Sequence, residues 1–120
     1  MPSSTQRRGG QAEHRAVLFL QRQGYKILQT HFTCRYGELD IVMQDGNTIV
    51  AVEVKARTSR KFGSASEALT QKKMQRILFS LQIFLEEHSW QNVDHRIDLI
   101  AIDENKLRHL KGIDAAGKGA

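Results

Sequence analysis

The sequence predicts a mixed α/β fold in which a central β-sheet carries helices on both sides. Three observations predict this class: two segments have helical periodicity, several short segments alternate between apolar and polar residues, and turn residues separate them. The chain has 120 residues, of which 40% are hydrophobic and 26% charged, a composition that suits one globular domain with one core. We expect that domain over residues 10–112, with flexible tails over residues 1–9 and 113–120.

The first element is a helix predicted over Gln11–Gln23. Small and apolar residues recur there at helical spacing: Ala12, Ala16, Val17 and Leu20. Gly24 stands where a helix C-cap belongs. An extended segment is then predicted over Tyr25–Arg35.

A β-hairpin is predicted next, from two alternating segments joined by Asp45-Gly46. The first strand covers Glu38–Gln44 and the second covers Thr48–Ala56. On the first strand, one face is expected to carry Leu39, Ile41 and Met43, and the other Glu38, Asp40 and Val42. On the second strand, one face is expected to carry Val50, Val52 and Val54, and the other Ile49, Ala51, Glu53 and Lys55.

The second half of the chain predicts a polar loop, a long helix and one or two further strands. The loop covers Thr58–Gly63, and the helix covers Thr70–His88. Its buried stripe is expected to consist of Met74, Ile77, Leu78, Leu81, Phe84 and Leu85. Arg96–Ile102 is predicted as a strand and Lys106–Leu110 as a short last one. The order is therefore helix, three strands, helix, and one or two strands.

Composition and charge narrow the class of protein. Eighteen Lys and Arg residues against thirteen Asp and Glu give a net charge of +5, which favours polyanionic partners because phosphate contacts release counterions. Basic residues concentrate between positions 55 and 76, against the single acid Glu67: Lys55, Arg57, Arg60, Lys61, Lys72, Lys73 and Arg76. A solvated basic face would have the same charges. Cys34 is the only cysteine, which excludes an internal disulfide, and no run reaches the ~18 apolar residues of a membrane helix. We therefore expect a reduced, cytoplasmic protein without membrane contact.

Two carboxylates and an ammonium group are predicted to share one face of the hairpin: Asp40, Glu53 and Lys55. A two-residue turn would set Asp40 diagonal to Glu53, and a four-residue turn would set the two directly opposite each other. Like charges at that separation repel unless a cation lies near them, and Mg²⁺ or Mn²⁺ prefers such oxygen ligands. The pattern therefore predicts a divalent-metal site with Lys55 beside it. The alternative is an exposed hairpin face with Glu–Lys pairs.

The same residues carry a resemblance to known nucleases. Asp40, twelve intervening residues and then Glu53-Val54-Lys55 resemble the PD-(D/E)xK signature of restriction-endonuclease-like nucleases, with Leu39 where the signature has Pro. The arrangement is similar to archaeal Holliday-junction resolvases. The whole chain, over roughly residues 10–103, resembles the YraN family, a predicted-endonuclease branch of that superfamily. The stretches that match are Gly10–Glu13, Gly24-Tyr25, Gly37–Asp40, Val52–Arg57, Phe62-Gly63 and Arg96–Asp98.

The resemblance implies a restriction-endonuclease-like fold and a metal-dependent endonuclease that acts on DNA, with branched DNA as a candidate substrate. It implies that Asp40, Glu53 and Glu13 bind Mg²⁺ or Mn²⁺, and that Asp40, Glu53 and Lys55 serve catalysis. Glu38 and Gln71 are candidates for supporting positions around the site. The DNA backbone would be held by Arg57, Arg60, Lys61, Lys72, Lys73 and Arg76.

Two other functions stay open at the level of the sequence. A non-catalytic nucleic-acid-binding or adaptor module could keep this fold, and so could a dimerisation or scaffold protein. The oligomeric state is also open, with a homodimer as one candidate. The five histidines form no close ligand pair, which disfavours zinc. Tyr36 and Trp90 could stack on bases, although packing within the protein is the expectation for each.

Overall fold

A five-stranded mixed β-sheet with one helix against each face forms the structure. The computed structural model of the chain describes residues 4–57 and 69–113. Its elements, in chain order, are α1 (Ser4–Gln21), β1 (Lys26–Cys34), β2 (Gly37–Asp45), β3 (Thr48–Arg57), α2 (Gln71–Glu87), β4 (His95–Asp103) and β5 (Lys106–Ile113). The central mixed sheet flanked by helices that the sequence predicts is thereby confirmed.

The strands lie in the order β1-β2-β3-β4-β5. Neighbouring strands run antiparallel except β3 and β4, which are parallel. A parallel pair requires a crossover connection, and α2 lies on the connection between β3 and β4. The sheet thus consists of three antiparallel strands joined through α2 to a second hairpin, β4–β5.

Each face of the sheet packs one helix through its own apolar cluster. The cluster beside α1 contains Ala16, Leu20, Tyr25, Ile41, Met43, Val50, Val52, Ile100 and Ile102. The cluster beside α2 includes Val42, Ile49, Ala51, Met74, Ile77, Leu81, Phe84, Leu85 and Leu99. Alternate residues of β3 therefore enter opposite clusters, as the sequence predicts. Neither helix in the described part of the chain combines the length and the apolar composition that a membrane span requires.

The β2–β3 turn lies one residue later than predicted. Asp45 pairs with Thr48, so the two turn residues are Gly46-Asn47. Gly46 has a positive φ of 62°, a conformation that a type II′ hairpin turn takes at its first central position and that glycine adopts at low cost. Counting along this register sets positions 40 and 53 opposite each other, which is the closer of the two arrangements that the sequence left open.

Leu39 corrects the alternation predicted for β2. The sequence predicts that Leu39 shares a face with Ile41 and Met43, which belong to the cluster beside α1, but Leu39 belongs to the cluster beside α2. Regular pairing of β2 with β3 ends at Ile41↔Val52, and the alternation changes just beyond that pair. Asp40 lies at the position where the alternation changes, so the face on which its carboxylate lies does not follow from regular strand alternation.

The largest differences from the predicted element boundaries are at the start of α1 and at the end of β5. Helix α1 begins at Ser4 rather than Gln11 and continues through Gly9-Gly10, so it includes residues that the sequence assigned to a tail. Each glycine inside a helix costs only about 1 kcal/mol relative to alanine, which does not suffice to end one. Strand β5 extends to Ile113 rather than Leu110 because its pairing with β4 continues that far.

A buried charged network lies beside the cluster that packs α1. Its centre is Asp98, which is fully buried. The Asp98 carboxylate lies 3.0 Å from Tyr25 Oη, 2.9 Å from Arg96 Nε, 2.8 Å from His109 Nε2 and 2.9 Å from the Gly112 nitrogen. Burial alone would raise the pKa of Asp98, but the hydrogen bonds outweigh it and lower the pKa to about 2. This network ties β4 to β5 and to the segment that follows α1.

Candidate active site

Asp40 and Glu53 are joined through neighbouring backbone atoms. Asp40 Oδ2 accepts a hydrogen bond from the Val54 N–H at 3.0 Å, and the Asp40 N–H donates to Glu53 Oε1 at 3.4 Å. Both contacts lie where the regular pairing of β2 with β3 has ended. Each carboxylate is thereby held against the opposite strand, and the two acids that the sequence paired lie together.

Glu53 is a buried carboxyl group, with 6% of its surface exposed. Burial, and secondarily the charge of Asp40, raises the pKa of Glu53 to about 8. The Asp40 N–H and the Lys55 ammonium act in the opposite direction without offsetting this rise. A carboxyl group with such a pKa retains a proton at neutral pH unless a further cation lies close to it. A cation bound beside the two acids would therefore stabilise the ionised form of Glu53.

A pocket of about 200 Å³ lies on the α2 side of the sheet beside this pair. It is lined by Tyr36, Gly37, Glu38, Glu53, Lys55, Leu69, Lys73, Arg76, Ile77 and Ser80. Lys55 projects from the same face of β3 as Glu53 because it follows two residues later. Lys73 and Arg76 come from the first half of α2. The pocket therefore combines a buried acid with basic groups of the kind that hold a phosphate.

Glu13 belongs to a chain of ion pairs with His31 and Glu38. His31 Nε2 lies 3.0 Å from Glu13 Oε2, and His31 Nδ1 lies 2.8 Å from Glu38 Oε1. The hydrogen bond with Glu38 raises the pKa of His31 above its usual range. Burial raises the pKa of Glu13, which His31 partly opposes. The charge of Asp40 acts on both groups, so this chain borders the Asp40–Glu53 pair.

The side chains present fit a hard divalent cation that uses few protein ligands. Within residues 4–57 and 69–113, no three His, Cys, Asp or Glu side chains form a group that could hold a metal ion together, and Glu13 is paired with His31. Mg²⁺, however, commonly binds through only one or two carboxylates and completes its shell with water. Asp40 and Glu53 supply oxygen ligands of this kind, and the pair accommodates more positive charge than Lys55 provides.

The basic residues predicted to hold nucleic acid are not all at the pocket. Lys73 and Arg76 line it, whereas Arg57 and Lys72 are exposed and do not. Gln71, the first residue of α2, is also exposed and does not line the pocket. The remaining predictions, which lie outside the described residues, are Arg60, Lys61 and the loop over Thr58–Gly63.

Sequence reasoning missed His31, whose ring joins two acids. Cys34 pairs with Gly37 across a two-residue turn, and counting back along that register sets His31 opposite Asp40. The position of this turn would have indicated that His31 lies opposite Asp40. The turn is hard to recognise in the sequence because its residues, Arg35-Tyr36, include no glycine, whereas the next hairpin has Asp45-Gly46.

An aromatic pair at the pocket was also not predicted. The rings of Tyr36 and Phe79 lie 5.2 Å apart, and the Arg35 guanidinium lies 5.0 Å from the Tyr36 ring centroid. Phe79 follows Arg76 by three positions, a helical spacing that could have indicated a shared face. Trp90, the other aromatic residue considered for base stacking, packs against other aromatic rings of the chain.

Comparison with known proteins adds a family to this geometry. The model of the uncharacterised protein family UPF0102 matches residues 12–102, a range that includes all of the acids described above. A UPF0102 protein from Sulfurihydrogenibium sp. is 40% identical over 99 residues, which is 82% of this chain and 86% of that protein. One from Janthinobacterium sp. is 38% identical over 92% of this chain and 89% of its own length. One from Pseudomonas aeruginosa is 42% identical over 83% of this chain and 81% of its own length.

Proposed function

The chain belongs to the uncharacterised protein family UPF0102, and we propose that it is a divalent-metal-dependent endonuclease that hydrolyses DNA phosphodiester bonds. This is the YraN family that the sequence resembles. The observation that carries the proposal is the Asp40–Glu53 pair, in which burial of Glu53 and the charge of the half-buried Asp40 raise the pKa of Glu53 to about 8. A buried acid with a raised pKa, beside a second acid and in a pocket that carries basic groups, is what a cation-dependent phosphodiesterase needs.

The topology supports a restriction-endonuclease-like fold within this proposal. In that reading, the β2–β3 hairpin supplies Asp40 and Glu53, and α2 covers the same face and leads into the parallel strand β4. The acids stand on two adjacent strands, which hold them more firmly than loops would. The relation to the nuclease superfamily is part of the proposal and shares its test.

The residues of the pocket and Asp40, which lies beside Glu53 but does not line the pocket, would have different roles in the reaction. When bound, the divalent ion would supply Lewis acidity, which neutralises charge on a phosphoryl oxygen and makes water a better nucleophile. Asp40 and Glu53 would hold the ion through their carboxylates. The Lys55 ammonium would stabilise negative charge that develops on the scissile phosphate. Lys73 and Arg76 would hold neighbouring phosphates and fix the position of the backbone without reading its sequence.

Cleavage of branched and duplex DNA by the full chain, with Mg²⁺ or Mn²⁺, tests the proposal. We expect Asp40→Asn, Glu53→Gln and Lys55→Ala each to lower the cleavage rate by roughly 100-fold or more, because each removes charge from the site of reaction. Asp94→Asn, which removes the charge of an exposed acid outside the pocket, is the matched control and should retain the wild-type rate.

Two outcomes would contradict the proposal. Equal cleavage by an Asp40→Asn/Glu53→Gln double variant would trace the activity to a contaminant. Salt-sensitive DNA binding without cleavage in either metal would instead identify a non-catalytic nucleic-acid-binding module.

A further inference from the structure

Two exposed aromatic side chains, Tyr36 and Phe79, are in contact at the edge of the pocket. Their ring centroids are 5.2 Å apart with planes inclined by 42°, and 38% of Tyr36 and 44% of Phe79 is exposed. Tyr36 lines the same pocket as Glu53 and Lys55. Burying either ring would stabilise the protein, so an exposed aromatic pair at a pocket of this composition marks a binding surface.

The pair is held in place by the elements on either side. Tyr36 lies in the two-residue turn between β1 and β2, since Cys34 pairs with Gly37. Phe79 lies on α2, and the next residue, Ser80, accepts a hydrogen bond from the Cys34 thiol at 3.3 Å. This hydrogen bond attaches the turn to the helix beside the aromatic pair. Because the two rings are already held in place, a ligand would lose less binding free energy to ordering them.

Positive charge surrounds the aromatic pair. The Arg35 guanidinium lies over the Tyr36 ring at 5.0 Å from its centroid, and Lys73 and Arg76 line the pocket. Flat aromatic and guanidinium groups bind the faces of bases, and cations bind the adjacent phosphates. A base within a duplex is already stacked and paired, so only an unpaired nucleotide can present its face to such a surface.

We propose that Arg35, Tyr36 and Phe79 form a stacking platform for an unpaired base beside the candidate active site, so that the preferred substrate is DNA with a single-stranded segment, such as a flap. The statement about the preferred substrate for cleavage rests on the function proposed above. Binding to the platform does not require cleavage and can be measured without metal.

Fluorescence anisotropy of the full chain in EDTA tests the platform. The probes are labelled single-stranded DNA, a flap substrate and a blunt duplex of the same sequence. Tyr36→Leu and Phe79→Leu should weaken binding to the first two probes by roughly 5- to 100-fold and leave duplex binding unchanged, because stacking on a base is lost while the cations remain. Tyr36→Phe, which keeps the ring, should bind like the wild type. So should Leu18→Ala, which alters an equally exposed apolar residue outside this pocket.

Photocrosslinking provides a second readout that does not depend on affinity. An iodouracil placed in the single-stranded segment should crosslink to Tyr36 or Phe79, as mapped by mass spectrometry. Crosslinking to Trp90 instead, equal loss of binding to all three probes in the leucine variants, or no loss in either variant would overturn the platform. Absence of binding to every probe would do the same.

Cleavage assays separate this inference from the nuclease proposal. If cleavage depends on Asp40 but the Tyr36→Leu and Phe79→Leu variants cut flap and duplex DNA in the wild-type ratio, the platform is wrong and the nuclease stands. If the platform binds unpaired DNA but no metal supports cleavage, the nuclease is wrong and the platform stands.

Discussion

Two buried carboxyl groups in the same sheet have pKa values shifted in opposite directions, and their partners account for the difference. Asp98 accepts hydrogen bonds from a guanidinium, a phenol and a backbone N–H and contacts His109, and its pKa falls to about 2. Glu53 receives one long backbone hydrogen bond and lies beside Asp40, and its pKa rises to about 8. An acid held in an unfavourable state by burial and, secondarily, by a second acid is typical of a site that acts on a ligand.

The unfavourable state of Glu53 predicts that Glu53→Gln stabilises the metal-free protein at neutral pH. Because its pKa is raised in the folded state, the carboxyl favours folding below its ordinary value and loses that contribution as pH rises toward 8. Glutamine keeps the oxygen that accepts the Asp40 N–H and is neutral without having to take up a proton from solution. We expect the free energy of unfolding in EDTA at pH 7 to rise by roughly 1–3 kcal/mol, as measured by urea denaturation.

The matched control is Glu86→Gln, which removes a charge from an exposed position on α2 and should change stability by less than about 0.5 kcal/mol. Mn²⁺ should raise the melting temperature of the wild type and not that of Glu53→Gln. A Glu53→Gln protein less stable than the wild type in EDTA would mean that the carboxyl is not held unfavourably.

At the scale of elements, helix α2 links the core to the candidate site. Its buried face contributes Met74, Ile77, Ser80, Leu81, Phe84 and Leu85. Its first half carries Lys73 and Arg76 at the pocket. The position of these cations therefore depends on how well the first turn of the helix is formed.

Thr70 caps that turn, which makes its hydroxyl group testable. Its side chain accepts a hydrogen bond from the Lys73 N–H at 3.2 Å, and its backbone is extended, as an N-cap requires. We expect Thr70→Ala to lower the free energy of unfolding by about 1 kcal/mol in urea denaturation, and Thr70→Ser to stay close to the wild type. Equal stability of the two variants would show that the cap contributes nothing.

Most elements could be predicted because their signals are local. The apolar stripe of α2 and the alternation of β3 follow directly from residue order. The alternation is confirmed, and so is the stripe except at Leu78, which is half-buried. The predicted start of α1 was wrong because the residues before Gln11 are small or polar and show no apolar periodicity, although the helix includes them. The face predicted for Leu39 was wrong because the alternation of β2 changes where its pairing with β3 ends, and no residue type in the sequence marks that point.

The candidate site could be predicted only in part, for a related reason. Asp40, Glu53 and Lys55 lie on one hairpin, so alternation and turn length bring them within reach of sequence reasoning. The contact between Tyr36 and Phe79 joins a turn to a helix that lies more than 40 residues later, and it depends on tertiary packing. His31 is an intermediate case: its position opposite Asp40 follows from the β1–β2 turn, but the residues of that turn are not a strong turn signal.

For the whole molecule, the sheet separates the candidate site from the group that stabilises the fold. Glu53 lines the pocket on the α2 side, whereas the Asp98 network lies beside the α1 cluster, with Tyr25 as its shared member. Arg96 extends the network to β2 through a 2.8 Å contact with Asp45. A fully bonded network on one face offsets the cost of an unfavourable acid on the other.

That division predicts an acid-sensitive stability that originates at Asp98. Its pKa is about 2 in the folded state and near its ordinary value of 3.8 when unfolded, so the unfolded chain binds more protons between these values. The contribution of Asp98 is present above pH 4 and is lost as pH falls toward 2, amounting to roughly 2 kcal/mol. Asp98→Asn should lower stability at pH 7 by about 2 kcal/mol, since it removes the buried charge that the half-buried Arg96 and His109 contact and leaves Asp45 as the one acid paired with Arg96 in the described part of the chain.

Urea denaturation between pH 7 and pH 2 measures both effects, with Asp94→Asn as the exposed-acid control. The wild type and Asp94→Asn should lose stability in parallel below pH 4, whereas Asp98→Asn should show a flatter profile because the titrating group is gone. If Asp98→Asn does not fold, Tyr25→Phe removes one hydrogen bond from the same carboxylate and should shift the loss of stability to higher pH. Parallel profiles for Asp98→Asn and the wild type would place the origin of acid sensitivity elsewhere in the molecule.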